Sequence, residues 1–153
     1  MGGVVRFSEA ASLALHTMSY LAVEAGRLVA VREVAEALEV SENHLAKVMQ
    51  RLSRVGLVTS TRGPKGGFVL ARDPRQITLL EVYEAIEGPL EVHHCLFPTP
   101  RCNGDCILGD LIGAANATVQ DHLSRTHLSD LTRVFARKLE NGRKQRNQED
   151  RSN

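Results

Sequence analysis

Six consecutive residues, Arg62-Gly63-Pro64-Lys65-Gly66-Gly67, constrain this chain more than any others. Glycine and proline favour tight turns and break regular elements. On either side stand short strand-forming runs, Leu57-Val58-Thr59-Ser60-Thr61 and Phe68-Val69-Leu70-Ala71, so the pattern predicts a β-hairpin with a cationic tip. Three helices are expected before it. Glu9 to Ala25 carries Ala11, Ala14, Met18, Leu21 and Ala22 at helical spacing, with Ser8 placed to cap its start and Gly26 to stop it. Val31 to Leu38 reads as a second, short helix. Ser41 caps a third that runs to about Val55 and ends at Gly56, with Leu45, Val48, Met49 and Leu52 on its core face. Three helices followed by a basic-tipped hairpin is the order of a winged helix-turn-helix. The expected class is mainly α with a small β-hairpin wing.

Beyond the hairpin, Thr78-Leu79-Leu80-Glu81 fits a capping box that opens a helix ending at Gly88-Pro89. A loop bearing cysteines follows. From about Cys106 a longer helix is expected, with Leu108, Leu111, Ile112, Ala115, Val119 and Leu123 on one face. That stripe calls for a cover, either a second subunit or the chain's own first part. Ser129 is placed to cap a last helix through Leu139, and the remainder from Glu140 is polar and non-periodic. The expected organisation is a winged helix-turn-helix over residues 1–75, a cysteine loop with dimerisation helices over 76–139, and a disordered tail over 140–153.

Composition narrows the function classes. At 42% hydrophobic and 24% charged residues, the 153-residue chain is that of a globular protein. No apolar run approaches the ~20 residues of a membrane span, and the start MGGVVRFSEA lacks the pattern of a signal peptide, so a cytoplasmic protein is expected. Four Phe, two Tyr and no Trp are too few for an extended base-stacking platform. The net charge of +1 hides an asymmetry. Residues 1–75 hold ten Lys/Arg against seven Asp/Glu, residues 76–139 five against eight, and Ser41 to Arg75 alone seven against two. A basic segment joined to an acidic one points to nucleic acid on one side and another task on the other.

The third helix shows how duplex DNA could be read. Opposite Leu52, at about 100° per residue, project Asn43, Lys47, Gln50 and Arg54, flanked by His44 and Arg51. A helix with such a face fits the major groove, where its first turns approach base edges. Asn43 and Lys47 are the candidates for base contact, and Gln50, Arg51 and Arg54 for base edge or phosphate. Arg62 and Lys65 at the hairpin tip suit a minor groove.

Three cysteines lie within twelve residues as Cys95-x6-Cys102-x3-Cys106. An odd, clustered set argues against a disulfide framework and for metal or redox chemistry. Soft thiolates suit an iron–sulfur cluster or zinc, but the closely paired cysteines of structural zinc sites are absent. Bare redox thiols are the further alternative. Three thiolates leave one coordination position. His93, His94 and Asp110 lie near the loop and could serve. Glu9, Ser12 and His16 form a polar stripe on the first helix, where His16 could be a hydrogen-bonded structural side chain and a ligand role is only what a family resemblance implies.

Ser41-Glu42-Asn43-His44-Leu45, Gly56-Leu57-Val58, the Arg62 to Phe68 hairpin tip, Ile77 to Val82, Glu87-Gly88-Pro89-Leu90 and Leu128-Ser129-Asp130-Leu131 together resemble the IscR/NsrR family of bacterial winged-helix regulators over roughly residues 5–135. The resemblance implies a homodimer that binds operator DNA, with long C-terminal helices crossing at its interface and an iron–sulfur cluster, [2Fe-2S] or [4Fe-4S], on the three cysteines. Departures are informative. Ala46 stands where IscR-like members have a Glu, so their operator preference does not transfer. Gly109 replaces the histidine that IscR-like members place three residues after the third cysteine, and Ser12 replaces the aspartate of NsrR-like members. His16 matches the position of a histidine ligand in other members. The expectation is a DNA-binding transcriptional regulator that senses redox, nitric oxide or cluster status. The alternatives are a metal-free thiol sensor and a metal-carrying electron-transfer protein. No nucleophile–base–orienter set is apparent, so an enzyme is not expected.

Overall fold

The computed structural model describes residues 4–97 and 99–149. Among them the chain forms helices α1 (Glu9–Val23), α2 (Val31–Leu38) and α3 (Glu42–Arg54), then strands β1 (Val58–Thr61) and β2 (Gly67–Leu70). A single 3-10 turn (Pro74–Gln76) leads into α4 (Leu79–Glu87), α5 (Leu111–Arg125) and α6 (Leu128–Glu149). The three-helix-plus-hairpin order is that of the expected winged helix-turn-helix.

The helix starts follow from local hydrogen bonding. Ser8 Oγ accepts from the Ala11 amide at the head of α1, and Ser41 Oγ from the His44 amide at the head of α3. At α4 both halves of the capping box form: Thr78 Oγ1 accepts from the Glu81 amide at 3.2 Å, and Glu81 Oε2 accepts from the Thr78 amide at 2.9 Å. The two strands pair antiparallel, with Val58 opposite Leu70 and Thr61 opposite Gly67. Val29, in the α1–α2 connection, extends the pairing by exchanging bonds of 2.9 and 2.8 Å with Phe68. A Cβ at Gly67 would lie 2.4 Å from the Val29 carbonyl oxygen, so only glycine admits this approach.

α1 is the centre. Nine of its fifteen residues are buried, among them Leu13, Met18, Tyr20 and Leu21, and α3, α4 and α6 all pack on it. A helix covered on so many sides needs the whole chain around it. Leu123 of α5 and Leu128, Phe135 and Leu139 of α6 therefore join the α1 and α3 side chains in one core. Backbone bonds from Leu128 to Ile77 and from Leu79 to Thr126 lash the α5–α6 junction to the start of α4.

Three boundaries differ from expectation. α5 begins at Leu111 rather than near Cys106, because the Gly109 amide closes a turn onto the Cys106 carbonyl and Gly109 adopts a positive φ of 57°. Leu108 is thus off the helix. Of the expected stripe, Ile112 and Leu123 are buried within the chain, whereas Leu111 is 61% exposed. α6 starts one residue before Ser129, with Asp130 Oδ2 accepting from the His127 amide instead of a Ser129 cap. It continues to Glu149, where a disordered tail was expected from Glu140. Extending an existing helix needs no new nucleus, and Glu, Arg, Lys and Gln dominate this stretch as good helix formers. Residues 150–153 of that expected tail lie outside the described residues.

Burial pushes the Glu81 carboxyl up, but the Arg72 guanidinium and the Thr78 amide outweigh it and hold it below the ordinary carboxylate value. Glu81→Ala should cost about 0.3–1.5 kcal/mol of stability near neutrality. Because the folded value is depressed, this contribution is present above the ordinary carboxylate range and is lost as pH falls through the folded value. The gap in melting temperature between wild type and variant should therefore narrow in acid, as thermal denaturation across pH will show.

Candidate nucleic-acid interface and cysteine site

α3 sorts its side chains cleanly. Leu45, Val48, Met49 and Leu52 are each no more than 2% exposed, and Asn43, Lys47, Gln50 and Arg54 are exposed on the other side. His44 is half-buried, with Nδ1 3.6 Å from Glu9 Oε1. Arg51 is exposed, yet its guanidinium donates to the Ile86 carbonyl at the end of α4. It ties the third helix to the following segment as well as facing outward. Arg62 and Lys65 are exposed at the hairpin tip.

The cations of the first 75 residues divide by partner. Arg27 binds Glu24 and Glu33, Arg32 binds Glu36, Arg72 binds Glu81, and Arg75 binds Asp73. The Arg75 side chain and amide hold the Asp73 carboxyl down at about 2. Among the described residues, Lys47, Arg54, Arg62 and Lys65 make no ion pair. Arg6 and Arg51 make none either, so apart from Arg6 the cations without an ion pair stand on α3 and the hairpin tip. That is an electrostatic footprint for a polyanion.

The cysteine loop leaves α4 through Leu90, whose amide donates to Glu84 Oε1 and whose carbonyl accepts from Gln120 Nε2 on α5. Cys95, Cys102 and Cys106 are free, half-buried thiols that line one cavity of about 300 Å³. Its walls are Leu96, Phe97, Ile107, Leu108 and Ile112, with Arg101 and Asp105 at the side. Cys95 Sγ accepts from the Phe97 amide at 3.4 Å. Among the described residues no three His, Cys, Asp or Glu side chains stand in a geometry that already holds a metal ion. The donor set still fits a thiophilic group: three soft thiols face one space walled mainly by apolar side chains.

The candidate fourth ligands fall into two places. His94 Nδ1 lies 3.6 Å from Asp110 Oδ1, and both sit over Gly113 so closely that a Cβ there would come within 2.2 Å of the imidazole. His93 Nε2 lies 3.6 Å from Glu91. Glu9, Ser12 and His16, by contrast, line a separate groove of about 730 Å³ shared with Phe135, Leu139 and other residues of α6. His16 Nδ1 is 2.7 Å from the Ser12 carbonyl, and its ring tilts against Phe135. Among the described residues, His16 and the cysteines line different cavities.

The sequence reading did not single out Asn116. It is 1% exposed on α5 and bonded both to the N-terminal segment and to the cysteine loop. A lone Asn among alanines carries no spacing signal that marks it.

The fold and the outward-facing cationic helix define a winged-helix DNA-binding regulator. The family model of Rrf2, described as an iron-dependent transcriptional regulator, matches residues 7–134, and the chain belongs to that family. An HTH-type transcriptional regulator of Aquifex aeolicus (strain VF5) is 33% identical over 137 residues, covering 87% of this chain and 95% of the relative. The NsrR regulator of Shouchella clausii is 33% identical over 76% of this chain and 81% of its own length. Among solved structures, CymR, the global cysteine regulator of B. subtilis, superposes with a TM-score of 0.74 at 26% identity, covering 86% of this chain and 98% of that one. IscR of T. potens gives 0.67 at 25% identity, covering 84% and 87%. The chain is a transcriptional regulator, not an enzyme. Among the described residues no helix is long and apolar enough to cross a membrane.

Lys47→Ala should weaken binding to a preferred DNA site by about 1–3 kcal/mol and relax its sequence preference, if Lys47 reads a base edge. Arg54→Ala should weaken all sequences alike and reduce the salt slope by about one. Arg27→Ala, which removes a cation already paired, should leave the slope unchanged. Titrations of labelled duplexes at several salt concentrations check all three, and an unaltered preference in Lys47→Ala rejects the α3 assignment.

Proposed function

We propose that this regulator binds operator DNA as a homodimer, and that the state of Cys95, Cys102 and Cys106 sets its affinity. The observation that carries the reading is the single apolar-walled cavity onto which all three thiols open. In this reading the thiolates hold an iron–sulfur cluster, which when bound supplies a centre that can change charge or be lost on oxidation or nitrosylation. Leu96, Phe97, Leu108 and Ile112 would then be the apolar lining beside that centre. Asn43, His44, Lys47, Gln50, Arg51 and Arg54 face the major groove, and Arg62 and Lys65 the minor groove. His16 remains the proposed non-cysteine ligand. Since it lines a different groove, a second copy of the chain is one route by which it could meet a cysteine loop. Glu9, Ser12, His94 and Asp110 are the alternatives.

A second reading has its own support. The three cysteines are free, and the chain superposes on a solved cysteine regulator. A metal-free sensor would use the same cavity and change affinity when a thiol is oxidised. The electron-transfer alternative loses to the unpaired cations on α3, which a carrier scaffold does not require.

Anaerobic purification followed by absorbance, iron and sulfide analysis separates the two. Coloured protein with stoichiometric iron, lost on Cys102→Ser, supports the cluster. Colourless protein whose DNA affinity still falls or rises with a thiol oxidant supports the thiol sensor. If replacing all three cysteines by serine leaves DNA affinity and its redox response unchanged, both readings fail.

The dimer has a sharper test than the full helical stripe. Ile112 is buried in its own chain, so its replacement by Asp would unfold the protomer. Leu111 is exposed, and Leu111→Asp should shift a folded protein from dimer to monomer in sedimentation. A folded variant that remains dimeric places the interface elsewhere.

A further inference from the structure

We propose that Asn116 is a positioning residue that couples the cysteine loop to the DNA-binding helices through the N-terminal segment 5–8. The proposal rests on the reading that the cysteine loop controls DNA affinity, and it names the contact through which that control passes. Asn116 lies in the second turn of α5 and is 1% exposed. Its Nδ2 donates to the His93 carbonyl at 2.8 Å, two residues before Cys95, and its Oδ1 accepts from the Val5 amide at 2.9 Å. One buried amide therefore holds two otherwise remote stretches of backbone at once. A buried amide is costly to leave half-satisfied, so movement of one stretch is resisted by the other.

From Val5 the segment runs directly into the DNA-binding part. The Arg6 carbonyl accepts from Tyr83 Oη of α4 at 3.0 Å, and the Phe7 ring packs edge-on against Tyr83 at 5.3 Å. Ser8 Oγ donates to Glu87 near the end of α4 and accepts from the Ala11 amide as the cap of α1. Both helices then touch α3. Arg51 of α3 donates to Ile86 of α4, and His44 of α3 faces Glu9, the first residue of α1. A shift of the His93–Cys95 backbone thus reaches the outward-facing helix along two lines, one through α4 and one through the start of α1. Gln120, through the Leu90 carbonyl, braces the same end of the loop.

Asn116→Asp isolates the coupling. A carboxylate keeps the acceptor for the Val5 amide but loses the donor to the His93 carbonyl, so the bond to the loop is cut. Asn116→Leu, which removes both bonds at similar volume and buries no charge, is its companion. Tyr83→Phe cuts the other side, removing the bond to Arg6 while keeping the ring packing. The test measures affinity for a duplex selected from random sequence by the wild-type protein, before and after alkylation of the cysteines with iodoacetamide. Wild type should show a ratio in the range of coupled sites, about 5–150-fold. In Asn116→Asp and in Tyr83→Phe the ratio should fall to within about threefold of one, with helical content unchanged. Hydrogen exchange at residues 5–8 should rise on alkylation of wild type and should no longer respond to alkylation in Asn116→Asp. Folded variants that keep the wild-type ratio overturn the proposal. A wild-type ratio of one removes the functional reading instead; hydrogen exchange then decides the coupling separately, and exchange at 5–8 that ignores alkylation overturns it.

Discussion

Burial of α1 is the constraint on which the rest of the molecule depends. A helix with Leu13, Met18, Tyr20 and Leu21 all shielded from water cannot be satisfied by α2 and α3 alone. It takes α4 on one side and α6 on another, and α6 can reach it only because the α5–α6 junction is bonded to Ile77 and Leu79. Each of those side chains is worth on the order of 1.5–3 kcal/mol when removed from water, so the arrangement is set by apolar area far more than by any ion pair. The hairpin inherits its placement from the same centre, because Val29 follows α1 and pairs with Phe68.

Electrostatics then acts on a frame that packing has already built. Glu24 after α1, Glu33 and Glu36 of α2, Asp73 ahead of the 3-10 turn and Glu81 of α4 neutralise nearby arginines. They leave the lysine and arginines of α3 and the cations of the hairpin tip without an ion pair. This is how a chain with a net charge of +1 presents a strongly cationic face. Overall charge would not reveal it; the pairing pattern does.

Much of this was legible in the residues. Caps at Ser8, Ser41 and Thr78 are short-range devices, and the helices they open start where the sequence places them. The α3 face follows from four apolar residues at helical spacing, and the hairpin from its turn. Long-range effects were not legible. Nothing in the order of residues shows that Ile112 would be covered by its own chain while Leu111 stays outside, since both fit one helical stripe. The polar stretch after Leu139 gave no periodic signal, yet it propagates as helix from the packed segment before it. For the cysteines, spacing announced a shared chemistry and the fold brought them onto one cavity, but His16 was carried to another groove by the packing of α1 against Phe135. Asn116 was invisible because its partners are backbone atoms, which have no letter in a sequence.

The shared core has a consequence for how the protein is made. A ribosome delivers α1, α2, α3 and the hairpin first, but Phe135 and Leu139, which close over α1, are among the last core residues to emerge. Domains fold as units during synthesis, and contacts this far apart in sequence form slowly. The DNA-facing helix is therefore translated long before its support is complete. The nascent amino-terminal part exposes the apolar side of α1 until the carboxyl-terminal helix leaves the exit tunnel. Until then the early helices lack the cover that Phe135 and Leu139 give α1.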